Sequence, residues 1–103
     1  MNDLPAQSLN QLAWGIYEHA SNVDEVPPAL VEAAIAATEK AIEESPNQGA
    51  IQDTLAHLLH LSGDLDGAVE AQTKALKNPG RQEKDMKDFL DQLLKEKEKA
   101  DVS

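Results

Sequence analysis

Around the middle of the chain the apolar positions fall into two blocks separated by a three-residue break. Ile51, Leu55, Leu58 and Leu59 follow the i, i+4, i+7, i+8 spacing that lines one face of a helix. Leu65, Ala68, Val69, Ala75 and Leu76 form a second such face, with Glu70 and Lys74 four apart on the exposed side, acid first, as a favourable pair. Between the blocks stand Ser62, Gly63 and Asp64. Gly63 suits the left-handed conformation that ends a helix, and Asp64 suits the N-cap of the next one, so the break predicts a tight turn with a new helix starting at Leu65. Asn78, Pro79 and Gly80 predict its end.

A helix pair of this length does not bury its own apolar face and usually stacks on copies of itself. Moving Leu65, Ala68, Val69, Gln72, Ala75 and Leu76 back by 34 residues lands on Val31, Ala34, Ile35, Thr38, Ala41 and Ile42, in the same order and character. With Leu55 and Ala56, Gly63 and Asp64, Ala68 and Ala75 in their relative positions, the chain resembles the tetratricopeptide repeat family over about residues 9–79. The first helices match only after an offset. Leu12 and Ala13 lie 43 residues before Leu55 and Ala56, which implies nine extra residues in the first repeat, in the stretch from Ser21 to Pro28. Repeat one lacks the Gly-Asp turn. Neither repeat carries the family's second-helix aromatic, where Thr38 and Gln72 stand, so packing at those positions is expected to be slimmer.

The expected architecture is all-α: five antiparallel helices in a single domain, with repeat one at about 8–46, repeat two at about 47–80 and a C-terminal capping helix at about 82–99. Ser8 is placed to cap a first helix running to about Ala20, with Leu9, Leu12, Ala13 and Ile16 inward. Pro27 and Pro28 force an extended approach to a second helix from about Ala29 to Glu44, and helix three starts near Gly49. The last helix carries Met86, Phe89, Leu90, Leu93 and Leu94 on one face and charges elsewhere, as a helix closing the end of a stack would.

Only Trp14, Tyr17 and Phe89 are aromatic, although 41% of the residues are apolar, so close helix approach through alanine has to supply the packing. The net charge of −10 is uneven: residues 1–80 carry 3 Lys against 12 acids, whereas the last 23 residues carry 6 basic and 7 acidic side chains. Such a surface repels phosphate, which argues against nucleic acid and anionic membranes as partners. A basic partner is compatible with it, but a run of like charge reads first as a solvated face. The start of the chain has neither the basic-then-apolar order of a signal peptide nor, anywhere, a run of about 18 apolar residues for a membrane span. Cysteine is absent, which excludes thiol chemistry and leaves the compartment open.

In the family the chain resembles, the first helix of each repeat lines a concave surface. That implies a groove carrying Asn10, Trp14 and Tyr17 beside Asp53, His57 and His60, an aromatic pair next to a histidine pair, suited to gripping a peptide or protein segment. A core role for Trp14 under the Ser21–Pro28 stretch stands open beside the groove role. The carboxylate-gripping version of the family needs basic groove residues, and Lys40, Lys74 and Lys77 all fall on second helices, so acidic C-terminal tails are not expected ligands. His57 and His60 with Asp53 or Asp64 do not form a metal-ligand motif. Ser8, Ser21, Ser45 and Ser62 sit in capping or turn contexts, and no glycine loop precedes a helix, so neither catalysis nor a cofactor is expected. The run from Leu9 to His19, the insert, and the run from Ile51 to Leu76 together resemble the tetratricopeptide segment that follows thioredoxin-like domains in some bacterial proteins. Two repeats are fewer than the three usually needed for stability, and the open N-terminal end of the stack would suit an upstream domain or a second copy of the chain. Two functions therefore stand: a non-enzymatic interaction module working through the face of helices one and three, or a structural spacer or dimerisation appendage of a larger redox protein.

Overall fold

Gly63 adopts φ 94°, donating its N–H to the His60 carbonyl at 3.1 Å, and the Asp64 N–H reaches the Leu59 carbonyl at 2.9 Å. Those bonds satisfy carbonyls at the end of one helix, and the Asp64 carboxylate begins the next by accepting the Gly67 N–H at 2.9 Å. Around this turn a computed structural model describes residues 6–21 and 27–102. They form five helices: α1 (Ala6–Ser21), α2 (Pro28–Glu44), α3 (Gly49–Ser62), α4 (Leu65–Ala75) and α5 (Glu83–Val102), with one 3₁₀ turn, Gly80–Gln82, leading into α5. The fold is all-helical, with no strand among the described residues. No helix among them is long and apolar enough to cross a membrane.

α2 begins with Pro28 at its first position, where the missing N–H costs nothing, and Pro27 before it is extended at φ −58° and ψ 129°. α1 starts earlier than its serine suggests. Ser8 lies inside the first turn rather than capping it, because the helix already begins at Ala6. Residues 22–26, which hold most of the Ser21–Pro28 stretch, lie outside the described residues.

α1 packs mainly along α2 and α3 along α4. Both α1 and α2 touch α3, and α5 packs against α4, so α3 is the element that the others surround. Alanine makes this possible: Ala13, Ala34, Ala41, Ala56, Ala68 and Ala75 are all at most 1% exposed. One cluster gathers Leu9, Ala41 and Ile51, and another gathers Ala13, Ala34 and Leu58 under Ile16, Tyr17 and Ile35. Of the six pairs 34 apart, five share their burial, while Val31 is buried and Leu65 half-buried. Ala34 and Ala68, Thr38 and Gln72, and Ala41 and Ala75 are buried, while Ile35 and Val69, and Ile42 and Leu76, are half-buried.

Two apolar positions depart from expectation. Leu12 is 53% exposed, because Leu9, Ala13, Ile16 and Ala20 form the stripe that α1 turns toward α2 and α3, and Leu12 falls beside that stripe. Leu94 is also exposed, since Met86 and Leu93 occupy the buried face of α5. The start of α3 approaches the end of α4 closely at Gly49. Its N–H donates to the Asn78 carbonyl at 3.1 Å, and a Cβ there would run into the Ala75 and Asn78 carbonyl oxygens. Glycine at this position lets the start of α3 sit directly on the end of α4.

Candidate functional site

Residues i, i+4 and i+7 of a helix share one face. α1 places Asn10, Trp14 and Tyr17 in that relation, and α3 does the same with Asp53, His57 and His60. Where these faces converge with the start of α5, the molecule has an open groove of about 470 Å³. Asn10, Trp14, Asp53 and His57 line it, joined by Glu18 of α1, Gln82 of the 3₁₀ turn and Asp85 of α5. Among the described residues, none that lines it is Lys or Arg.

Trp14 and His57 of the lining belong to a cluster of rings with Tyr17 and Phe89. Trp14 lies 5.0 Å from Tyr17, and both meet His57 edge-on, at 5.2 and 5.1 Å between centroids. His57 stacks on Phe89 of α5 at 3.8 Å with planes 7° apart, and His60 meets the same ring edge-on at 5.7 Å. His57 Nδ1 lies 2.8 Å from the Asp53 carbonyl. A carbonyl only accepts, so Nδ1 carries a proton, and in the neutral ring Nε2 is left as an acceptor. Burial raises the Tyr17 hydroxyl above its ordinary pKa of 10.0, with the Asp53 charge adding to the effect.

Behind the groove lies Gln72, completely buried on α4. Its Nε2 donates to Asp53 Oδ1 at 2.8 Å and to the Met86 carbonyl at 3.0 Å, and so ties α4 to both α3 and the first turns of α5. Both partners are acceptors, which fixes which end of the amide is nitrogen. Thr38, at the matching position of α2, satisfies its hydroxyl within its own helix by donating to the Ala34 carbonyl at 2.7 Å. The expected slim packing therefore has two forms, a self-satisfied threonine and a bridging glutamine.

Of the six expected site residues, Asn10, Trp14, Asp53 and His57 line the groove together, Tyr17 is half-buried against Trp14 and His57, and His60 is engaged elsewhere. His60 Nε2 donates to Glu96 Oε1 at 2.9 Å, on the far part of α5. That bond, helped by Gln92, lowers the Glu96 carboxyl below its ordinary value of 4.5. Asp64 caps α4, so the two histidines do not converge with it, and among the described residues no three His, Asp or Glu side chains come together as a metal ion would need. Trp14 is partly buried: its ring packs on Tyr17 and His57, and the residue lines the groove.

The contributions of α5 and Gln72 escaped the sequence reading. Phe89 appears there only as one more residue on an amphipathic face, and no local spacing signals its stack on His57. Gln72 did carry a signal. A glutamine in a repeated column of otherwise small, buried residues needs a partner on a neighbouring helix. Compared with models of protein families, with curated proteins and with solved structures, the chain matches none.

Proposed function

We propose that the chain is a tetratricopeptide-like, non-enzymatic interaction module that holds a peptide or protein segment in the groove between α1, α3 and the start of α5. The observation that carries this reading is Trp14, a large amphipathic side chain presented on a groove of about 470 Å³ and braced there by Tyr17 and His57. A braced ring loses little conformational freedom when it meets a ligand, which is why such residues anchor interfaces. The 34-residue burial pattern and the packing of α1 on α2 and of α3 on α4 support the family resemblance on which the groove assignment rests. The test is an array of random peptides probed with the labelled chain, with Trp14 emission followed as selected peptides are added. Trp14→Ala should abolish capture while the helical circular dichroism stays unchanged. Capture indifferent to Trp14, or no capture at all, overturns the reading.

A second reading, self-association at the outer side of α1, is favoured by Leu12, which is 53% exposed. Sedimentation of the chain and of Leu12→Glu tests it: a dimer that Leu12→Glu dissolves is its expected result.

A further inference from the structure

The groove presents acceptors and negative charge to whatever enters it, around one aromatic face. Glu18, Asp53 and Asp85 all line it, and among the described residues the lining contains no Lys or Arg. Asp53 is only 13% exposed and is held by the buried amide of Gln72 at 2.8 Å, so its carboxylate is oriented before any ligand arrives. Asn10 also lines the groove, and its Oδ1 is buried with no hydrogen-bond partner among the described residues. Trp14 supplies the remaining element, a π-face that attracts a cation within about 6 Å of the ring.

We infer that the groove takes a basic, extended peptide segment, with an Arg or Lys side chain set between the Trp14 ring and the Asp53 and Asp85 carboxylates. This rests on the groove reading above and names the chemistry of its occupant. Charge complementarity selects that occupant over the alternatives. An acidic segment meets three carboxylates, Glu18, Asp53 and Asp85, with no Lys or Arg among the described lining residues, and a purely apolar one covers those charges without a cation to balance them. The net charge of −10 adds a long-range field that draws a basic segment in. A guanidinium suits the site better than an ammonium, because its planar fork can stack on the indole while donating to a carboxylate at its edge.

The experiment uses the full chain and a fluorescein-labelled peptide of three Gly-Ser-Arg triplets, with versions carrying Lys, Ala or Glu in place of Arg. Anisotropy is read at low and at physiological ionic strength, together with Trp14 emission. The Arg peptide should bind about tenfold or more tighter than the Ala peptide, the Glu peptide should not bind, and added salt should weaken the Arg complex. Asp53→Asn and Asp85→Asn should each weaken it about fivefold or more, while Glu43→Gln on α2 leaves it unchanged. Asp85 is exposed, so its variant keeps the test open if Asp53→Asn disturbs the fold. Equal binding of the Arg and Ala peptides, lost in Trp14→Ala, overturns the cationic occupant and leaves the groove reading standing. Arg binding indifferent to both aspartates is general charge attraction and also overturns it. If no peptide binds and a Trp14-dependent dimer forms instead, the occupant is a second copy of the chain. Silence from every peptide and from the random array removes the groove reading as well.

Discussion

His57 lies flat on Phe89, with ring centroids 3.8 Å apart and planes 7° from parallel. The stack joins the middle of α3 to α5, a helix whose main packing is otherwise against α4. It also sets the tilt of the imidazole that Trp14 and Tyr17 meet edge-on, so α5 shapes the groove without supplying the ring that faces it.

Truncating that ring should be felt in stability. Phe89 is half-buried, so Phe89→Ala is expected to cost about 2 kcal/mol, less than the 3–5 of a fully buried aromatic. Phe89→Leu keeps apolar area but loses the aromatic geometry, and should cost about 1 kcal/mol. Urea unfolding followed by circular dichroism measures both, and two equal losses would show that the stack adds nothing beyond area.

The His60–Glu96 contact predicts a dependence on pH. The Glu96 carboxyl is lowered in the folded chain, first by the hydrogen bond from His60 and then by that from Gln92. A carboxyl lower in the folded than in the unfolded state contributes stability that is fully present above its ordinary value of 4.5 and is lost as pH falls through the folded value. With the Glu96 side chain 41% exposed, solvent screening holds the effect below about 1 kcal/mol. Urea midpoints of the wild type and Glu96→Gln should differ at neutral pH and converge in acid. Parallel curves would count against the contact.

Two glycines should respond in opposite directions. Gly49→Ala drives a methyl into the Ala75 and Asn78 carbonyl oxygens, which are backbone and yield only if α3 and α4 separate. A loss of about 2 to 4 kcal/mol is expected. Gly15 sits within α1 with nothing within 4 Å of a built Cβ, so Gly15→Ala should raise stability by about 0.5 to 1 kcal/mol through helix propensity alone. Thermal melts of the two variants side by side decide this.

Gln72 offers a sharper contrast between shape and charge. Gln72→Leu removes the donor shared by Asp53 and the Met86 carbonyl and should cost about 1 to 3 kcal/mol. Gln72→Glu keeps the size but sets a buried carboxylate against Asp53 and should cost more at neutral pH, recovering in acid as one of the pair takes a proton. Denaturation of both variants at neutral and acid pH provides the comparison.

The turn and the helix interiors were legible in the sequence because their causes are local. Gly63 and Asp64 carry their conformations in their own side chains, and α3 and α4 begin at Gly49 and Leu65 as expected. The 34-residue shift anticipated Ala34, Ala41, Ala68 and Ala75 as buried, since one packing environment occurs twice. Leu12 and Leu94 were misplaced because periodicity identifies an apolar face without saying how wide the neighbouring helix is. Ser8 has the chemistry of a cap, yet helix propagation continues past it to Ala6. At the groove, Asn10, Trp14, Asp53 and His57 follow from helical spacing within α1 and α3. The parts owed to α5, namely the Phe89 stack, the His60–Glu96 bond and Asp85 in the lining, depend on how a helix docks more than 30 residues away, and no local spacing encodes that.

The alanine contacts that let these helices approach so closely also bear on the chain's response to temperature. Methyl groups at Ala13, Ala34, Ala41, Ala56, Ala68 and Ala75 release little apolar area to water on unfolding, compared with the leucines and phenylalanines that fill most cores. The heat capacity of unfolding should therefore lie at or below about 12 cal/mol/K per residue. A small heat capacity flattens the stability curve, so the folded population changes little between cold and warm conditions and gives way over a broad interval.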